Sequence, residues 1–314
     1  MKFLKKLEFE DPNRFSFLSY DGEFADGYFH GKGKLVLSNG DVYEGELTKS
    51  IRSGKGKCVY ANGMTYEGDW GNDEINGHGV LTWTKENFVY EGEFRNNQKH
   101  GKGKETTLSN TYIGDHVNGL REGYGVTLYS NGNQYEGYSK NGNPNGYGKY
   151  TENSGCLWEG NWENGQIHGI GKFTHVDEFV FEGEIKANEF HGKGKMTFAE
   201  NSWYEGEFFR NQMTGKAKRV YPNGNICDGE FLNGLANGTC TIIYRNGDKY
   251  IGDVVNNKKE GLGERYFFEN EKESAYYKGL WHEDLMHGKG EMVWVDGGKY
   301  FGDFCEGKIE GIGT

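Results

Sequence analysis

An aromatic residue, any residue and a glycine recur at Tyr20, Tyr43, Tyr66, Tyr90, Tyr112, Tyr135, Trp158, Phe181, Tyr204, Tyr250, Tyr277 and Tyr300, with Cys227 in the one remaining slot. That gives 13 units, spaced by 23 residues except where the step is 24, 22 or 27. Eleven residues after every anchor stands a glycine, which opens Gly-x-Gly in all but two units. In those two, Gly215 is followed by Ala217 and Gly238 by Cys240. The 11-residue interval is constant, and all length variation falls between Gly-x-Gly and the next anchor. A chain so constrained repeats one supersecondary unit to its end. The first connection in the unit is geometrically fixed; the second tolerates insertion, most around "NEKESAYY", Asn270 to Tyr277.

The unit reads as a β-hairpin. "YEGEL" and "GKGKCVY" alternate with period 2, as strands do. Tyr43, Gly45 and Leu47 share one face and Glu44 and Glu46 the other; Gly54, Gly56, Cys58 and Tyr60 oppose Lys55, Lys57 and Val59. Asn39-Gly40, Asn62-Gly63, Asn131-Gly132, Asn223-Gly224 and Asn246-Gly247 link units. This dipeptide suits a type I′ turn, in which both central residues take positive φ. The expected fold is all-β: an elongated, single-layer, twisted antiparallel meander of about 13 hairpins. Glycine weakens an ordinary strand, so Gly22, Gly31, Gly33, Gly45, Gly54, Gly56, Gly68, Gly77 and Gly79 are expected to be structural. A neighbouring aromatic ring can lie flat over the bare backbone they leave.

The pattern resembles the MORN (membrane occupation and recognition nexus) repeat family, whose unit reads roughly YEGEFxNGxxxGxGxxxxxNG. "YEGEFRNNQKHGKGK" (Tyr90 to Lys104) and "YEGEFFRNQMTGKAK" (Tyr204 to Lys218) carry the resemblance most closely, and it runs from Tyr20 to Thr314. Residues 1–19 are expected to form an N-terminal cap, with a hairpin around Asp11-Pro12 or a short helix at "MKFLKKL". Residues 20–314 are expected to form the array of 13 units, the last incomplete. The resemblance implies a scaffold like those of cilia, radial spokes and other cytoskeletal assemblies, with homodimerisation through an array end. It leaves two alternatives: phosphoinositide recognition by lysines such as Lys32, Lys34, Lys55 and Lys57, or a regulatory segment of a larger enzyme.

Composition narrows the classes. Mean hydropathy is -0.85, yet aromatics reach 15%, which disordered chains lack. The 52 Gly accompany only 3 Pro and no Gly-X-Y period, so collagen is excluded. No run of 18 apolar residues suits a membrane-spanning helix. The five cysteines form no CxxC pair, so neither a zinc site nor a disulfide framework is expected, and a reducing cytoplasm is. Net charge -11 without a basic stripe argues against nucleic acid. Acid pairs such as Glu44 with Glu46, and histidines such as His30 and His100, sit at repeat positions, so no catalytic residue, metal or cofactor is expected.

The surface expected to bind a partner is aromatic. One stripe, four residues past each anchor, includes Trp70, Phe94, Trp162, Phe208, Phe231, Trp281 and Phe304. A second, six residues past Gly-x-Gly, includes Trp83, Phe198, Phe267 and Trp294. A single layer leaves such residues uncovered, and an apolar groove accepts an amphipathic helix or a filament. Thr107, His116, Ser139, Glu152 and His175 interrupt the stripes, which reads either as drift within a tolerant array or as a polar bridge between two docking segments. The expected location is the cytoplasm, on the cytoskeleton or the axoneme of a cilium.

Overall fold

A computed structural model of the chain describes residues 16–311 and 313–314. Most of the expected N-terminal cap therefore lies outside the described residues. Among these, 26 strands follow one another from β1 (Phe17–Ala25) to β26 (Lys308–Glu310), and one 3-10 turn, Thr84–Glu86, is the only helical segment. The chain divides into two compact units, at residues 1–145 and 146–314. Within each, consecutive strands pair antiparallel, so the all-β hairpin meander is the fold of both.

The type I′ turn expected at the Asn-Gly links is found elsewhere. The type I′ turns lie inside each repeat, where both tip residues take positive φ: Asn72 and Asp73, Asn96 and Asn97, Asn164 and Gly165, Asn256 and Asn257. At Asn39-Gly40 only the glycine does so. Gly40 N–H donates to Leu37 O at 3.0 Å and Leu37 N–H to Asp41 O at 2.9 Å, closing a type I turn with a glycine bulge. The asparagine is kept for its side chain: Asn39 Oδ1 accepts Asp41 N–H at 3.0 Å, and Asn62 Oδ1 accepts Met64 N–H at 2.9 Å.

Three glycines per repeat answer three different demands. In β3 (Val42–Thr48) and β4 (Ile51–Val59), Gly45 faces Gly56 but Leu47 faces Arg52, so the strand bulges between them. Gly54, at φ 61, makes that bulge. Gly45 lets the two backbones approach: a Cβ there would lie 2.4 Å from Gly56 Cα. Gly56 lies under the Tyr43 ring, whose hydroxyl donates to Glu46 O at 2.8 Å. Tyr66 over Gly79, Tyr90 over Gly103 and Tyr250 over Gly263 repeat the arrangement.

Hairpins are also stitched at their tips. The second tip residue reaches the preceding repeat, where Asn97 Oδ1 accepts Ile75 N–H at 2.8 Å and Asn97 N–H donates to Ile75 O at 3.0 Å. Asp73 does this for Arg52, Asn188 for Ile167, Asn211 for Phe190 and Asn257 for Ala236. The side chain thus extends the sheet ladder by one residue beyond the strands.

Candidate functional site

Each hairpin carries two faces of opposite chemistry, and the one bearing the anchors is the core. The Tyr43, Tyr66, Tyr90, Tyr204, Tyr250 and Tyr277 side chains are fully buried. The residue four positions on stands edge-on between its own anchor and the preceding one: Trp70 lies 5.2 Å from Tyr43 and 5.4 Å from Tyr66, at 82° and 80°. Such edge-to-face packing is favoured by the ring quadrupoles. It recurs with Phe94, Phe208, Trp281 and Phe304. The indole N–H groups are satisfied inside, Trp70 on Gly56 O, Trp162 on Gly148 O and Trp281 on Gly263 O.

This corrects the expectation that both aromatic stripes lie open as a groove. Trp70, Phe94, Trp162, Phe208, Phe231, Trp281 and Phe304 are buried by neighbouring hairpins. A single layer covers them because the glycines let each ring sink onto the backbone. The second stripe stays near the surface: Trp83, Phe198 and Phe267 are half-buried and Trp294 is exposed.

The polar interruption is buried at two of its five residues, His116 and Ser139, while Thr107, Glu152 and His175 are half-buried. His116 is 1% exposed and stands between the Tyr90 and Tyr112 rings in the slot of a Trp or Phe. Thr127 and Ser139 are also buried. Glu105, buried beside them, pairs with Lys99 and takes 2.6 Å from Arg121 Nη2; His116 Nε2 stands 3.8 Å away. Burial opposes ionisation of Glu105, but the surrounding His116, Lys99 and Arg121 outweigh it and hold the carboxyl well below its ordinary range.

In the same repeats the opposite face becomes apolar. In many other repeats it carries rungs of paired charge: Lys55 with Asp69 at 2.6 Å, Lys57 with Glu67 at 3.2 Å, Lys172 with Glu182 at 2.9 Å. The acid three residues past the anchor also caps the bulge, as Asp69 accepts His78 N–H at 2.8 Å and Glu93 accepts Lys102 N–H at 2.9 Å. In the first unit these rungs line a shallow groove of about 990 Å3, from Asp21 to Glu91. Past it, on β9 (Asn110–Val117), β10 (Leu120–Tyr129) and β11 (Gln134–Lys140), the positions held by Lys and Glu are taken by Ile113, Tyr124 and Tyr138. These are exposed by 49%, 44% and 51%. Tyr124 and Tyr138 face each other across the register, their rings 5.6 Å apart. The second unit repeats the exchange where exposed Leu262 faces Leu280 and Phe301 stands nearby in sequence.

Sequence reasoning placed every anchor and glycine but missed this reversed face. The signal was present as apolar residues at the x of Gly-x-Gly and the x of aromatic-x-Gly. Among the described residues no three His, Cys, Asp or Glu side chains gather as metal ligands.

Twelve segments match the MORN repeat family model: residues 20–42, 43–65, 66–87, 90–107, 112–134, 135–156, 158–178, 181–203, 204–226, 227–249, 250–269 and 277–299. No curated protein matches the chain. Among solved structures it is similar to the TCP domain of Drosophila melanogaster SAS-4 in complex with a proline-rich motif of Ana2. That match has 16% identity over 50% of this chain and 83% of the other, at a TM-score of 0.32. The TCP10 domain of Danio rerio CPAP, in complex with a STIL peptide, is 12% identical over 75% of this chain and 94% of the other, at a TM-score of 0.33. With its repeats matched from residue 20 to residue 299, the chain belongs to the MORN-repeat family.

Proposed function

We propose that this protein is a non-catalytic scaffold of a cytoskeletal or ciliary assembly, docking an amphipathic protein segment on the face opposite its rings. The observation carrying this reading is the exchange of polarity in β9–β11. There His116, Ser139 and Thr127 are drawn into the core, while Ile113, Tyr124 and Tyr138 stand in water. An isoleucine and two tyrosines stand at positions that in many repeats hold paired Lys and Glu; Tyr124 donates to Glu136 at 2.6 Å and packs edge-on against Tyr138, yet about half of each side chain stays exposed. An exposed apolar patch beside a groove of charged rungs suits a partner with one apolar and one polar face. Of the lysines of the lipid reading, Lys55 and Lys57 are engaged by Asp69 and Glu67, which lowers their pull on anionic headgroups.

The test is quantitative capture from a cytoskeletal extract by wild type and by Ile113→Asp/Tyr138→Asp, with circular dichroism establishing that both fold. Cytoskeletal proteins reduced tenfold or more on the variant support the reading. Equal capture by both proteins removes the patch as a docking site. Salt-sensitive binding to phosphoinositide vesicles, with no protein lost from the variant, turns the assignment to lipid.

A further inference from the structure

The ring face of the second unit holds one cation whose charge is left over. Lys259 pairs with Asp284 at 3.1 Å, and Arg265 with Asp248 at 2.9 Å. In the first unit Arg52 pairs with Asp73, and Lys99 and Arg121 share Glu105. Arg219 sits in the same row as Arg265 and Glu105, fifteen residues past an anchor, and no carboxylate lies within ion-pair distance of it among the described residues. One of its five N–H donors is used, Nη1 to Gly234 O at 2.7 Å.

The surroundings hold this guanidinium in place. Its carbon lies 4.8 Å from the centre of the Tyr221 ring and 6.0 Å from that of Phe198, both half-buried members of the second stripe. Tyr221 is itself tied to Asn257 at 3.4 Å. Arg219 also faces Cys227, the one anchor that is not aromatic, across β18 (Gln212–Val220) and β19 (Ile226–Leu232). The result is a half-exposed planar cation, stacked by aromatics and anchored at one nitrogen, with its other donors unused by protein.

We propose that Arg219 is a recognition point for a protein partner, receiving the carboxylate of an Asp or Glu whose neighbouring apolar side chains pack on Phe198 and Tyr221. A guanidinium presents a fork that fits a carboxylate in two parallel hydrogen bonds, and a lysine does not. The site deepens the scaffold reading but lies on the ring face of hairpins in the second unit, whereas Ile113 and Tyr138 belong to the charged-rung face of hairpins in the first. The two docking claims therefore stand or fall separately.

The experiment is selection of a random twelve-residue peptide library on the full chain, followed by fluorescence-polarisation titration of the enriched peptides. Enriched peptides are expected to carry Asp or Glu beside Phe, Leu or Trp. They should bind Arg219→Gln at least tenfold more weakly, bind Arg219→Lys with an intermediate loss, and bind Ile113→Asp/Tyr138→Asp as they bind wild type. Thermal unfolding checks that the Arg219 variants fold, and Arg219→Lys separates loss of the fork from loss of charge. Failure to enrich any peptide, enrichment without an acidic residue, or binding to Arg219→Gln within twofold of wild type overturns the assignment. If only the Ile113→Asp/Tyr138→Asp variant loses the peptides, the Arg219 site is overturned and the reversed face is the one they use.

Discussion

At residue 56 an added Cβ would lie 2.3 Å from the Tyr43 hydroxyl oxygen and 2.5 Å from its Cε2. Gly56→Ala is therefore expected to destabilise the fold by about 2–3 kcal/mol through overpacking. Gly71→Ala, where the nearest atom is Asn76 Cβ at 3.8 Å and φ is not positive, should change it by less than about 1 kcal/mol. Urea unfolding of both variants checks the contrast. The tenth repeat shows how the ring-and-glycine lock can be replaced. Cys240 stands where other repeats have the second glycine, and its Sγ donates to Glu230 O at 3.7 Å, the carbonyl an anchor tyrosine hydroxyl would reach. The pair Cys227 and Cys240 thus fills the space of one tyrosine over one glycine. Cys227→Tyr alone should clash and Cys240→Gly alone should leave a void, each costing about 1–2 kcal/mol. The double variant should recover most of that loss, a coupling that a double-mutant cycle measures. Additive losses would mean that the two thiols do not share one slot.

At the scale of the element, the hairpin is fixed by its tip and by what lies under it. Asn97→Ala removes the acceptor of Ile75 N–H and places alanine at φ 63, so a loss of about 2 kcal/mol is expected. Asn97→Gly keeps the backbone conformation and should lose less; hydrogen exchange of Ile75 reads both. Glu105 is the other case. Removing its charge leaves Lys99 and Arg121 without a counter-ion in a half-buried site, so Glu105→Gln should cost about 3 kcal/mol at neutral pH. Its carboxyl is held below the ordinary range, so its contribution is complete above the unfolded value of about 4.3 and is lost as pH falls through the folded value. Wild type should therefore lose stability more steeply than Glu105→Gln below about pH 4. Parallel acid-unfolding curves would contradict this.

At the scale of the molecule, each unit carries a row of tyrosine anchors, most of them buried phenols. Burial pushes the hydroxyls of Tyr112, Tyr204 and Tyr277 up to about 12. The unfolded chain ionises these groups near about 10. A folded value raised in this way leaves stability intact below about pH 10 and removes it as pH rises towards the folded value. Alkaline titration should show the buried phenolates appearing together with loss of β ellipticity. Full ionisation at 295 nm with the ellipticity unchanged would mean that the row is open to solvent. Much of this architecture was legible in the chain: Tyr43, Gly45 and Gly56 announce the hairpin and its ring cover. The pairing of Gly45 with Gly56 and of Leu47 with Arg52 was not, because a bulge changes which residues face each other without changing the repeat.

The amino-acid sequence by itself determined the repeat, the strands, the anchors and the glycines, because period and backbone conformation are local properties. Which aromatic stripe is core was decided only in the folded sheet. Trp70 and Trp83 are both large rings on the ring face, yet Trp70 is enclosed by Tyr43 and Tyr66 while Trp83 remains half-buried. The reversal at Ile113, Tyr124 and Tyr138, the leftover charge of Arg219 and the buried carboxylate of Glu105 belong to the same class. Each depends on neighbours that lie on other strands, up to 16 residues away in sequence, and such neighbours meet only when the strands pair.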